Sequence, residues 1–283
     1  MLAGNETVNA QADHKVCAQS LAVLKHAVKN GETFFIKVHA AENLIRVGQT
    51  AGLEAEFILL KEASPDNLIG ATRVLARLNV HQHEKYRHYI DELFNQFKSG
   101  ADRKTQLTAL ESLGKLGFKE PLPEIKLLAD TGTNGFKGMA RWVLSNSNKE
   151  TDENRLSELL LSKDETDYRY AAYALRFKPK VNALTIKRLG QCLQNLKQDD
   201  PARIYVLSSF FVHDQSPEKT PVKTALLTYL TGETGQRYEL AEALGLGGNK
   251  NDLQVLQKLL NDENTDVQVA AANAILRVMH CGD

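Results

Sequence analysis

The densest group of potential metal ligands in this chain is His81, His83, Glu84 and His88. Imidazoles and carboxylates bind zinc and related ions, and residues four apart on a helix, such as Glu84 and His88, share one face. The spacing matches no metal motif, and no second ligand cluster completes the group. We therefore predict a polar loop that enters a helix, with no metal site and no bound cofactor.

The three cysteines, Cys17, Cys192 and Cys281, are the next candidates for chemistry. A cysteine becomes a nucleophile where a base lies beside it, whereas Cys17 and Cys192 fall within helical apolar patterns, in which buried inert thiols are usual. The odd number and wide separation indicate no disulfide framework and no CxxC metal site. We predict no catalytic residues and no enzymatic activity.

A run of aromatic and basic side chains between residues 141 and 205 is typical of a binding surface. Trp, Tyr and Arg are enriched among the residues that contribute most to binding energy at interfaces. Ordinary packing is the alternative interpretation, and about half of the run must face a helix core. The predicted binding residues are Arg141, Trp142, Tyr170, Tyr173, Arg176, Arg203 and Tyr205.

These side chains lie on elements that repeat a short phrase. Residues 267–276 read VQVAAANAIL, residues 36–45 read IKVHAAENLI, and residues 168–175 read YRYAAYAL. A small or apolar residue in the middle of each phrase, here called the register mark, has an apolar residue three positions later, on the same helical face. The marks recur every 33 residues on average, at Ala41, Ala71, Leu110, Ala140, Ala172, Leu207, Ala241 and Ala272.

A second amphipathic segment precedes each phrase, and turn residues separate the two. This alternation predicts an all-α fold, an α-solenoid (superhelix) of about eight helix pairs, because repeats of this length stack on their neighbours to bury a continuous core. We predict one solenoid over residues 14–283, preceded by a flexible segment over residues 1–13.

The repeat phrase resembles the second helix of HEAT repeats, which reads Asp-x-x-Val-Arg-x-x-Ala-x-x-Ala-Leu. Residues 164–175, DETDYRYAAYAL, are similar to it, as are residues 261–275, whereas Asn67 and Phe136 break the pattern. The short period is similar to HEAT-like repeats of the phycobilisome-lyase type, so the resemblance implies an armadillo-like solenoid.

One position of the HEAT phrase, here called the arginine slot, is basic in several repeats. A row of such cations is one functional interpretation of this position. It is filled by Lys37, Arg169, Arg203 and Arg237, and by Gln106 and Gln268 in two other repeats. The family precedent implies a structural role, in which the slot side chain pairs with acidic residues of the adjacent turn, such as Asp167 or Asp199.

A narrower resemblance concerns the first two repeats. Residues 38–48, 57–62 and 70–78 are similar to a HEAT module of environmental bacteria, found fused to or beside secreted sulfatases and sodium–solute symporters. The match implies an accessory role in polysaccharide or sulfated-sugar use, in the periplasm or outside the cell. A cytoplasmic location is the alternative.

Net charge and hydropathy argue against a nucleic-acid partner and against a membrane-spanning helix. The 283 residues include 35 Lys+Arg and 35 Asp+Glu, for a net charge of +0. Nucleic-acid binders need surplus cations to displace counterions from phosphates, so we predict no nucleic-acid partner. No apolar run approaches the roughly 18 residues of a membrane-spanning helix, so we also predict no membrane span.

These observations predict a non-catalytic scaffold or accessory protein that binds a protein partner on the concave face of the solenoid, which second helices line. Two alternatives remain open. One is a lyase- or isomerase-type enzyme of the phycobilisome-lyase-like group, which a deep pocket with perturbed acids or histidines would favour. The other is a carbohydrate-binding accessory protein, which aromatic rings laid flat on the concave face would favour.

Overall fold

The computed structural model describes residues 3–216 and 219–281, with side chains from His14 onward. Within these residues the chain forms sixteen α-helices joined by short turns, and no strand occurs among them. The predicted all-α fold of about eight helix pairs is confirmed.

The chain divides into two compact units, which are described separately. Unit 1 comprises residues 1–56 and 227–283, and unit 2 comprises residues 57–226. The chain passes from one unit to the other within α3 (Leu53–Ala63) and again within α13 (Lys219–Leu227).

Unit 2 shows the repeat architecture most plainly. Its second helices form one continuous layer, in which each packs against the next, and the last four of them also pack on their own first helices. The second helices are α4 (Leu68–Leu78), α6 (Arg103–Lys115), α8 (Phe136–Ser145), α10 (Glu165–Arg176) and α12 (Arg203–His213). The first helices are α5 (His83–Ser99), α7 (Pro123–Thr131), α9 (Glu150–Glu158) and α11 (Ala183–Asn195).

The register marks lie where the periodicity places them. All eight marks are buried, and so are the eight apolar residues three positions later. The side chain is small at the majority of register marks, so two helices can approach closely there. The apolar residue three positions later packs between the two helices. The repeat phrase is therefore the packing seam of the solenoid.

A second periodic feature, here called the donor ladder, ties together the C-terminal ends of the second helices. In unit 2, the residue six positions after most register marks is polar, and its side chain donates a hydrogen bond to a carbonyl of a neighbouring second helix. Asn146 reaches the Gly114 carbonyl at 3.1 Å. Lys178 reaches Ser145 at 2.8 Å, and His213 reaches Leu175 at 2.8 Å.

One of the five register marks in unit 2, Leu110, has no donor six positions later. Leu116 occupies the corresponding position of α6 and has no side-chain donor. The end of α6 instead accepts from both sides, because Arg77 donates to the Lys115 carbonyl at 3.0 Å while Asn146 reaches Gly114. Carbonyls at a helix C-terminus lack partners within the helix, so these contacts satisfy them and link adjacent repeats.

The arginine slot has a different role from the one expected. Most slot side chains donate to carbonyls at the end of the preceding helix. Arg203 bonds Leu193 and Leu196, each at 3.1 Å, and Lys37 bonds Val28 at 3.1 Å. The expected pairing of Arg203 with an acidic residue is therefore wrong, since helix ends expose carbonyls that long cationic side chains can cap.

The expected acidic partner is present at Arg237. Its guanidinium lies 2.7 Å from Asp262, in the turn before the next second helix, and also donates to the Gly232 carbonyl at 2.7 Å. This slot residue both caps its own repeat and pairs with the next one.

Unit 1 brings the two ends of the described chain together. It contains α1 (Ala3–Asn30), α2 (Phe34–Arg46), α14 (Thr234–Gly247), α15 (Leu253–Leu260) and α16 (Thr265–Val278). Both α1 and α2 pack against α16. Residues 3–13, for which a flexible segment was predicted, belong to α1, and residues 1 and 2 lie outside the described part of the chain.

Polar contacts support the junction of α2 with α16. His39 Nδ1 lies 2.9 Å from Asp266, and Arg46 donates to the Asn273 side chain at 3.1 Å. Asn273 in turn donates to Glu242 of α14 at 3.4 Å. The N-terminal helix pair thus covers the face of α16 that a further repeat would cover in a longer array.

A disulfide joins Cys17 of α1 to Cys281, with the two Cα atoms 6.0 Å apart. The expectation of no disulfide is wrong at this pair. A separation of 264 residues gives no hint of proximity. The two cysteines meet because α1 packs on α16, which is a tertiary contact with no counterpart in the repeat pattern.

Candidate functional site

An aromatic cluster on the second helices of unit 2 contains three of the predicted binding residues. It consists of Trp142 on α8, Tyr173 on α10, Tyr205 on α12, and Phe177 directly after α10. Trp142 stacks on Phe177 with ring centroids 5.2 Å apart and meets Tyr173 edge-on at 6.0 Å. Tyr173 also meets Phe177 at 5.1 Å and Tyr205 at 6.3 Å, both edge-on.

The position of Trp142 depends on a glycine of the neighbouring helix. A Cβ atom at Gly114 would lie 2.8 Å from the indole ring, so α6 offers the ring a flat backbone surface that no other residue could provide. Trp142 is 1% exposed. It is the buried base on which the other rings of the cluster rest.

A carboxylate holds the cluster from the side of α6. Glu111 Oε1 accepts a hydrogen bond from the Tyr173 hydroxyl at 2.6 Å and lies 2.8 Å from the Lys115 ammonium. Burial raises the pKa of Glu111, but the charges of Lys115 and Arg73 and the hydrogen bonds from Lys115 and Tyr173 outweigh it and lower the pKa to about 2. Glu111 is therefore ionised at any ordinary pH.

Two cations lie against the rings. Lys115 Nζ is 5.5 Å from the Phe177 centroid and 5.7 Å from that of Tyr173. The Arg176 guanidinium is 4.8 Å from the Phe177 centroid and 5.6 Å from that of Tyr173. These distances lie within the range of cation–π attraction.

The cluster presents one apolar ring to the surface. Phe177 is 36% exposed, whereas Trp142 beneath it and Arg176 beside it are 1% and 2% exposed. Packing and hydrogen bonds hold the supporting side chains, so the ring is fixed before any ligand arrives. Such a surface suits an apolar group carried by a larger partner, because fixed side chains lose little entropy on binding.

The structure places the remaining predicted residues differently. Arg176 lies against the cluster and is buried as part of its support. Arg141 turns toward the first helices, donating to the carbonyls of Ala129, at 3.0 Å, and Arg155. Burial, followed by the charge of Arg155, lowers the pKa of Arg141.

Arg203 and Tyr170 also lie apart from the cluster. Arg203 caps the end of α11, as described above. Tyr170 packs on the backbone of the preceding turn, where Gly135 has a φ of 92° and a Cβ atom would lie 2.7 Å from the tyrosine ring. Arg141, Tyr170 and Arg203 therefore serve packing and capping in this structure.

Sequence reasoning missed Glu111, Lys115 and Phe177. The first two form an i, i+4 pair on α6, a spacing that is visible in the sequence. Their contact with Tyr173 is not visible there, because it links α6 to α10 across the intervening α8, over 62 residues of chain.

The other candidates for chemistry are isolated. His81, His83, Glu84 and His88 are exposed around the start of α5. Within residues 3–216 and 219–281, no three His, Cys, Asp or Glu side chains are grouped to hold a metal ion. Cys192 is buried, and burial, with the charge of Asp200, raises its thiol pKa to about 12. This thiol is protonated, and hence a poor nucleophile, at neutral pH.

None of the helices in the described residues combines the length and the apolar character needed to cross a bilayer.

The fold and the cluster define a helical-repeat protein of the solenoid class. No family model and no curated protein matches the sequence.

Three solved structures show a weak likeness to the chain. A designed armadillo repeat protein is 17% identical, with 92% of this chain and 98% of that chain covered and a TM-score of 0.22. An engineered protein is 18% identical, with coverages of 91% and 78% and a TM-score of 0.31. Another engineered protein is 20% identical, with coverages of 92% and 98% and a TM-score of 0.22. These scores are too low to carry an argument, so the fold class follows from the helix packing itself.

Proposed function

We propose that this protein is a non-catalytic interaction scaffold or accessory protein that binds a protein partner on the second-helix surface around Phe177. The observation that carries the proposal is a solvent-facing ring held on a rigid, buried base. Binding energy at protein interfaces concentrates on aromatic and arginine side chains in well-packed surroundings. Of the residues predicted from the sequence, Trp142, Tyr173, Arg176 and Tyr205 support this surface from below or from the side.

The ring geometry favours a protein over a carbohydrate. Sugars stack on aromatic faces that lie open to solvent. Here one face of Phe177 is stacked on Trp142, and Lys115 and Arg176 lie near its ring. An apolar side chain of a partner, flanked by a carboxylate, would contact both the exposed part of the ring and the neighbouring cations.

We also infer that the repeats are HEAT-like and that the protein acts in an oxidising compartment, the periplasm or the cell exterior. The sequence resemblance supports the first inference, together with the stacked second helices and the Arg237–Asp262 pair between repeats. The Cys17–Cys281 disulfide supports the second, because disulfides persist in oxidising environments and are rare in the cytosol.

The test is partner capture with two matched variants. Phe177→Ala removes the proposed anchor, whereas Leu127→Ala removes a side chain that is 62% exposed on the first helix α7. Substitution of the buried Trp142 would confound loss of binding with loss of stability, so it is avoided. A photo-crosslinker at position 177 identifies the contact directly.

We expect F177A to lose at least about tenfold in affinity for the captured protein, the effect of removing one hot-spot side chain, while L127A keeps wild-type affinity. Equal affinity of the two variants would place the interface elsewhere. Capture of a sulfated oligosaccharide by the wild type, lost in F177A, would replace the protein partner with a carbohydrate.

A further inference from the structure

The Cys17–Cys281 disulfide joins the middle of the first helix to the turn after the last helix. The Cys281 N–H donates to the Leu276 carbonyl at 3.0 Å, so this cysteine is anchored on the end of α16. Since α1 also packs against α16 directly, the bond reinforces a helix contact that already exists.

Among the described side chains of α1, the buried apolar ones are concentrated toward its C-terminal end. Among the side chains described from His14 onward, Leu24, Ala27 and Val28 are almost fully buried and anchor the C-terminal half. Beside Cys17, the buried side chains are Val16 and Ser20. The C-terminal half is therefore held without the disulfide, whereas the segment around Cys17 depends on it more heavily.

The disulfide borders a cavity that could admit a small molecule. Both cysteines are half-buried and lie in the wall of a cavity of about 290 Å³. That volume is close to the lower end of cavities that hold small ligands. The other side chains in the wall are His14, Ala18, Leu21, Val47 and Gln49.

We propose that Cys17–Cys281 is a thiol–disulfide exchange site for a dithiol reductant, and that its reduction releases the segment of α1 around Cys17 from α16. Exposed disulfides are the labile and regulatory ones, whereas enclosed structural disulfides resist reduction. Both half-buried cysteines line one cavity at the contact between α1 and the end of α16, and this placement supports both parts of the proposal.

The exchange proceeds in two balanced steps. One thiolate of the reductant attacks either sulfur, the S–S bond breaks, and the displaced cysteine leaves as a thiolate that takes up a proton. The second thiol of the reductant then displaces the other cysteine from the mixed disulfide. The protein gains two electrons and two protons, and the dithiol is oxidised to a cyclic disulfide.

The experiment uses the intact folded protein treated with dithiothreitol. Alkylation with iodoacetamide, read by mass spectrometry, reports which cysteines become free, and amide hydrogen exchange reports local opening. We expect alkylation at Cys17 and Cys281 with Cys192 unmodified. Amide exchange around Cys17 and in the last turn of α16 should speed up at least about tenfold, while α8 and α10 stay unchanged over labelling times too short for exchange through global unfolding.

A double variant removes the need for a reductant. Cys17→Ser with Cys281→Ser should show the same fast exchange in α1 without dithiothreitol. Two results would overturn the proposal. One is alkylation of Cys17 and Cys281 only in denaturant strong enough to expose Cys192 as well. The other is complete alkylation of both cysteines with α1 exchange unchanged.

Discussion

At the scale of single residues, Glu111 shows how one charge organises a surface. Its carboxylate accepts from Tyr173 and pairs with Lys115, and both partners also contact the Phe177 ring. An acidic group that is buried without such partners becomes neutral, whereas these partners keep Glu111 ionised and make the cluster depend on its charge.

Glu111→Gln is expected to lower the free energy of unfolding by about 2 kcal/mol at pH 7, since removing one member of a largely buried pair leaves the cations uncompensated. The folded-state pKa is depressed, so this stabilisation is present above the ordinary pKa of 4.5 and is lost as pH falls toward about 2. Urea denaturation at pH 7 and pH 3 measures both effects.

Glu124→Gln is the matched control, because Glu124 pairs with Lys98 at 2.9 Å on an exposed surface. We expect this variant to unfold like the wild type, since exposed ion pairs contribute little. Equal effects of the two substitutions would show that Glu111 has no special structural role.

At the scale of elements, the donor ladder links the C-terminal ends of neighbouring second helices in unit 2. His213 is its titratable member, with its ring Nε2 on the Leu175 carbonyl at 2.8 Å. Burial lowers the pKa of His213, Lys178 lowers it further, and the backbone hydrogen bond and Glu153 oppose the shift only in part. The imidazole is therefore neutral in the folded protein at pH 7.

We expect the stability of unit 2 to fall as the pH drops below about 6.5. In that range the unfolded chain binds a proton at His213 that the folded chain does not, with a limiting slope of about 1.4 kcal/mol per pH unit. His213→Gln keeps an N–H donor but does not titrate, so it should flatten this slope. Denaturation midpoints from pH 7.5 to pH 5 give the measurement.

His81→Gln serves as the comparison because His81 is exposed. It should keep the wild-type slope. If H213Q kept that slope as well, the acid sensitivity would arise from another group.

At the scale of the whole molecule, the disulfide connects the first helix to the last. Closing a loop that spans 264 residues restricts the unfolded chain far more than the folded one. The C17S/C281S variant should therefore lose about 5 kcal/mol of unfolding free energy relative to the oxidised wild type, by loop-closure entropy.

The wild type treated with reductant is the control for the double variant, because it lacks the same disulfide without any substitution. Dithiothreitol should lower the denaturation midpoint of the wild type to that of the double variant and leave the variant unaffected. A wild type that keeps its midpoint when fully reduced would contradict the prediction.

The periodicity of the sequence was sufficient to predict the helix pairs and their packing positions. Ala140 and Val143, for example, are buried as their spacing requires. The aromatic cluster was predictable only in part, because periodicity gives neighbours within a helix and between successive repeats. The contact of Tyr173 with Glu111 skips a repeat, and the orientation of Arg141 depends on which helix end offers a free carbonyl.

The disulfide was not predictable from the sequence either, because periodicity predicts only contacts within a helix and between successive repeats. Cys17 and Cys281 meet because an N-terminal helix covers the last repeat, and no local pattern records that contact.

The donor ladder also bears on how such a chain can change its length during evolution. Each rung takes its donor from one repeat and its carbonyl from the neighbour, as Lys178 and Ser145 illustrate. Within unit 2, duplication or loss of one full period keeps such a donor opposite a carbonyl, whereas a shorter insertion within a second helix moves the donor away from its acceptor. The donor ladder therefore favours changes in the length of unit 2 by about one full period, roughly 33 codons, over shorter insertions within a second helix.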